Sequence, residues 1–123
     1  MTTDGRRLEG DVLVYRLGNE RVIMRGSIRR GSGPTSRTLI KNGPLSVTLV
    51  SLGAGGSIKE HHAAGPITVQ VLDGDLTFTT TDSVHTLETG DLLSLGAGVR
   101  HSVESVGGAQ FLITIALPQA GNE

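Results

Sequence analysis

Four histidines, His61, His62, His85 and His101, hold most of the chemistry this chain can offer. Imidazole is a common metal ligand and the side chain whose charge changes nearest neutral pH. His61 and His62 are adjacent, and in an extended strand adjacent side chains point to opposite faces unless a bulge intervenes. The alternation therefore predicts that His62 faces solvent or a subunit contact. Glu60 has the same parity problem. His85, beside a turn at 81–83, reads as a solvent-edge histidine. With no cysteine in the chain, a thiolate metal site and a disulfide framework are both excluded.

The other polar residues read as architecture. Asp73, Asp75 and Asp91 flank glycine turns, where aspartate favours the backbone geometry. No spacing places two carboxylates on one cavity, as acid–base hydrolysis of a glycoside would need. No G-x-S-x-G elbow announces a serine nucleophile. The glycine-rich stretches at 53–56 and 96–98 precede strands, so they lack the helix N-terminus that cradles phosphate.

The elements that must position these groups read as strands. Residues 45–52, 67–72, 76–80, 84–87, 92–95, 99–106 and 111–117 are short apolar or alternating runs separated by turn residues. Asp73-Gly74 after ITVQVL predicts a hairpin. Residues 11–28 mix VLVY and RVIM around Gly18-Asn19, and their β-branched content predicts two further strands and no amphipathic helix. Residues 30–36 predict a loop. Eighteen glycines in 123 residues suit many tight turns. Tyr15, Phe78 and Phe111 are the only aromatics, so Leu, Val, Ile and Ala must fill the core. ITVQVL and FLITIAL read as apolar on both faces, so each needs cover from a second sheet or another subunit. An antiparallel all-β sandwich or barrel of six to eight strands follows.

Two segments are more specific. The first runs Gly55, five residues, His61, one residue, Ala63, three residues, Ile67, six residues, Gly74. The second runs Gly90, five residues, Gly96-Ala97-Gly98, two residues, His101, three residues, Ser105. In order and spacing both resemble the paired motifs of the cupin superfamily, and the whole chain is similar to small single-domain, RmlC-like cupins of unknown role. The resemblance implies a double-stranded β-helix, or jelly-roll, barrel. It also implies a metal site, but in a reduced form. Of four ligand positions, two histidines and a glutamate in the first motif and a histidine in the second, only His61 and His101 keep a donor. Ala63 and Ile67 stand where a histidine and the glutamate belong.

Two function classes follow from that resemblance. In one, the protein is a small-ligand-binding barrel that holds a small, partly apolar molecule, such as an anion or carbonyl compound, beside two imidazoles. Strand parity then expects Val47, Leu49, His61, Ala63, Ile67, Val69, Val71, His101 and Val103 to line the interior, with Gln70 facing away. In the other, it is a metal-dependent enzyme, a dioxygenase or isomerase, in which His61 and His101 share a divalent ion (zinc, nickel, manganese or iron) with a further ligand. Two imidazoles alone would hold such an ion weakly. A glutamate, aspartate, glutamine or third histidine opposite the pair would favour the enzyme. Ala63 and Ile67 filling that place would favour the binding barrel.

Charge is unevenly placed. Residues 1–41 hold nine basic and four acidic residues, a balance of +5, and the remainder holds two basic and eight acidic, a balance of −6. The basic stretch 25–37 lacks interleaved aromatics for stacking on bases, so the expected contact is an acidic barrel, its own or a partner's, and not nucleic acid. No run is long and apolar enough for a membrane span, and residues 1–11 show no apolar signal region. The expectation is a cytoplasmic homodimer with an N-terminal arm at 1–41 carrying extra strands, a barrel at 42–118 and a tail at 119–123.

Overall fold

The computed structural model describes residues 7–25 and 33–118. Helix α1 (Leu17–Arg25) comes first, followed by β1 (Thr35–Asn42), β2 (Leu45–Leu52), β3 (Ser57–His61), β4 (Ile67–Thr80), β5 (Val84–Glu88), β6 (Leu92–Leu95), β7 (His101–Glu104) and β8 (Ala109–Ala116). All strand pairs are antiparallel. One sheet runs β1-β2-β8-β4-β6, and the other runs β3-β7-β4-β5. The two sheets curl into the expected jelly roll.

The 14-residue β4 belongs to both sheets. Its first half pairs with β8 and β6 and its second half with β7 and β5. The hairpin expected at Asp73-Gly74 is therefore a bend inside one strand. Gly74 makes the bend with φ of +87°, and a Cβ there would collide with the carbonyl oxygen of Gly108. The pairing with β8 shifts register at the same place, between Val71 and Asp73. A glycine that bends a strand and one that reverses it look alike in sequence, because both use positive φ.

The barrel core collects the inward residues of both sheets. Val50 and Leu52 come from β2, Ile67, Val69, Val71, Leu76 and Phe78 from β4, and Phe111 from β8. A second cluster lies on the outer face of the first sheet, where Met24 of α1 packs with Leu39 and Leu49, joined by Tyr15, Leu17, Leu72 and Leu112. This arrangement corrects two expectations. Residues 17–25 form a helix, not a strand, and Leu49 lies beneath that helix, outside the barrel, with Val47 sharing its face by alternation.

The helix is decided by docking more than by propensity. Leu17 and Met24, seven residues apart, supply its apolar anchors. Between them Arg21 Nε donates to Gln110 Oε1 at 2.9 Å and its guanidinium lies 3.9 Å from Asp73, while Arg37 pairs with Glu20. Two basic residues of the first 41 thus meet acids within the chain, Asp73 on the barrel and Glu20 on the helix. Of the expected loop at 30–36, residues 30–32 lie outside the described residues, as does most of the basic stretch 25–37, while Thr35 and Ser36 already belong to β1 and so are strand instead of loop. Val22 and Ile23 face solvent, 63% and 53% exposed, which is why no amphipathic pattern is visible in this segment. The helix covers Leu72 and Leu112, so the outer faces of β4 and β8 find their apolar cover within the chain.

Candidate functional site

Cross-strand rows place the site. Phe78 pairs with Val103, and Val103 with Ile58; two residues along, Thr80 pairs with His101, and His101 with His61. Ile58 and His61 are three residues apart, whereas their partners Val103 and His101 are two apart, so β3 carries one extra residue. That bulge turns both Ile58 and His61 to the interior, which a regular strand forbids. It also leaves His62, just past the strand end, on the rim of the same cavity.

The cavity measures about 230 Å³. Ile58, Ala63, Ile67, Val69 and Val103 form much of its wall, and β8 adds Phe111, Ile113 and Ile115. Ala63 and Ile67, where the motif would carry a histidine and a glutamate, thus border the space beside the imidazoles. Val71 lies deeper, 1% exposed in the packed core and away from the cavity wall. Gln70 is exposed, and Glu60 lies 3.6 Å from Arg100 at the surface. His85 is also exposed, with Nε2 2.8 Å from Ser83 Oγ. Ser105 is buried and structural: its hydroxyl donates to the Asp75 carbonyl at 2.7 Å and accepts from the Gly108 N–H at 3.0 Å.

The two inward histidines are built alike. The rings of His61 and His101 lie 4.2 Å apart between centroids, tilted by 59°. Each turns Nδ1 back onto the carbonyl two residues earlier, His61 to Lys59 at 2.8 Å and His101 to Val99 at 2.9 Å. A carbonyl only accepts, so Nδ1 carries the hydrogen and Nε2 of each neutral ring carries a lone pair. Phe78 stacks on His101 at 5.7 Å and 20°. Burial pushes the His101 imidazole below its ordinary value of 6.5; the hydrogen bond to Val99 opposes the shift, and His61 and His62 add to it electrostatically. The hydrogen bond from Gly98 N–H to the Ala63 carbonyl, 2.9 Å, ties the two motifs together across the mouth.

A family model described as the cupin domain matches residues 48–115, more than half of the chain. The chain belongs to the cupin family. Among solved structures, a conserved protein of unknown function from Streptococcus pyogenes is similar at 28% identity and a TM-score of 0.68, over 76% of this chain and 81% of that one. A cupin-2 domain protein from Shewanella frigidimarina shares the fold at 16% identity and a TM-score of 0.68, over 84% and 94%. A cupin superfamily protein from Desulfitobacterium hafniense does so at 22% and 0.66, over 69% and 78%. No curated protein matches the chain in sequence.

The residues of this cupin do not fit a firmly held metal ion. Ala63 and Ile67 offer no donor atom, and among the described residues no group of three or more His, Asp or Glu side chains could hold one. Sequence reasoning missed Ile58, His62, Phe78 and the β8 residues on the wall. FLITIAL is apolar on both faces, so only Thr114 hinted which side of β8 lines the cavity; the bulge that brings in Ile58 and His62 has no sequence signal. Among the described residues no helix is long and apolar enough to cross a membrane.

Proposed function

We propose that this cupin is a small-ligand-binding barrel whose site is the cavity beside His61 and His101. The observation that carries the reading is the wall itself: apolar side chains on most sides, with imidazoles as its polar side-chain groups. Such a mostly apolar pocket with a few convergent polar groups is how small-molecule sites are usually built. An apolar cavity of about 150 Å³ takes up benzene, so about 230 Å³ accommodates a ring with a substituent. The test follows methyl resonances of Ile58, Ile67 and Val103 during a small-molecule screen, beside metal analysis of untagged protein purified without chelator. Ligand-induced shifts at these methyls with metal far below one per chain support the reading. Near-stoichiometric metal that disappears in a His61→Ala/His101→Ala variant overturns it.

The second reading is a metal-dependent enzyme of dioxygenase or isomerase type. Its support is the contact between His61 and His101 at the two ligand positions of the motif, since His62 on the rim completes no three-donor group, and the same metal analysis is its test. A weakly held divalent ion on His61 and His101 is compatible with either reading.

We also propose that two copies associate. Val12, Val14, Val22 and Ile23 are 82%, 72%, 63% and 53% exposed, on a segment whose basic balance complements the acidic remainder of a second copy. Sedimentation should give a dimer that weakens with salt and dissociates in Val22→Ser/Ile23→Ser. A monomer at high concentration and low salt overturns this.

A further inference from the structure

We infer that the ligand selected by this pocket presents a hydrogen-bond donor on an apolar body, as an alcohol, enol or phenol does, and is not an anion. This rests on the binding-barrel reading and deepens it. Both inward rings spend their Nδ1 hydrogen on a backbone carbonyl, Lys59 for His61 and Val99 for His101, so what each neutral ring can offer is the Nε2 lone pair. Among the described residues, no fully buried side-chain polar atom lacks a partner. Nε2 of His101 has none among the described residues, and so it opens onto the cavity that His101 lines.

Among the described residues, the rest of the wall offers an anion no side-chain donor but His62. Its side chains carry no hydroxyl, amide, guanidinium or ammonium group, and the remaining imidazole, His62, is exposed at the rim. A carboxylate brought into this space would lose water and meet Nε2 atoms on rings whose Nδ1 hydrogens are already given to backbone carbonyls. A hydroxyl would give its hydrogen to one of them while its apolar body met Ile67, Val69 and Val103.

The test titrates phenol, anisole and benzoate at neutral pH against the wild type, His61→Phe and His61→Phe/His101→Phe, reading the methyl shifts of Ile58, Ile67 and Val103. His61 is exposed, so the single variant keeps the core intact. Phenol is expected to bind on the order of 3- to 10-fold more tightly than its methyl ether, the worth of one net hydrogen bond, with benzoate weakest. That preference should shrink in the single variant and vanish in the double one. Equal binding of phenol and anisole, or a preference that survives the double variant, overturns the donor assignment and leaves pocket binding standing. Benzoate binding tightest does the same. No shift with any of the three overturns both.

Discussion

His61 and His101 are direct partners across β3 and β7, and they meet only because β3 holds one residue more than β7 between this rung and the one at Ile58 and Val103. The pair sits where two strands close one end of the barrel, with one ring exposed and the other 3% exposed against Phe78. The same local turn fixes both rings, but only one is strongly removed from water.

That asymmetry sets a pH dependence. Unfolded His101 takes up a proton near 6.5, whereas folded His101, desolvated and facing His61 and His62, resists it. Below 6.5 the unfolded state therefore binds more protons, and stability falls with pH until the lowered folded value is passed. Urea midpoints should decline as pH drops through this window, and His101→Phe should flatten the decline. An unchanged slope in the variant would assign the dependence to other groups.

The ligand positions can be refilled. Ile67→Glu alone places a carboxylate at a position 5% exposed and should destabilise the protein by about 3 kcal/mol or more. Ala63→His/Ile67→Glu should restore a four-donor set, so that added zinc or nickel raises the melting temperature and binds near one per chain. Failure of metal to stabilise the double variant would mean that positions 63 and 67 do not converge with the two histidines.

Two glycines should respond in opposite directions. Gly74→Ala combines positive φ with a backbone collision and should cost about 1–3 kcal/mol or more. Gly18 lies in α1 with nothing near the site of an added Cβ, so Gly18→Ala should stabilise by about 0.4–1 kcal/mol. Denaturant unfolding of both variants checks the contrast.

Docking of α1 makes a further contrast. Met24 is 3% exposed against Leu39 and Leu49, and Met24→Ala should cost about 2–5 kcal/mol. Val22, 63% exposed, should change the stability of the monomer, measured at dilution, by less than about 0.5 kcal/mol on substitution by alanine. Equal effects would mean that the helix is not packed on the sheet through its Met24 face.

The barrel and the two histidine positions at its motif spacings were legible in the residues alone; that the two rings meet was not. Glycines at the motif spacings, two histidines in register with them and short apolar runs between turns are local features, and local features survive in a one-dimensional reading. Tertiary structure alone decided which face of each strand is inside. LSVTLVSL is apolar at odd and even positions alike, and Val50 and Leu52 were assigned to the barrel and Leu49 to the helix only once α1 covered the outer face. The helix itself was hidden, because its buried side includes Glu20 and Arg21, paired with Arg37 and Gln110, and its solvent side carries Val22 and Ile23. The bulge in β3 was hidden for a similar reason: an extra residue has no composition of its own, and its effect exists only relative to the strand it pairs with.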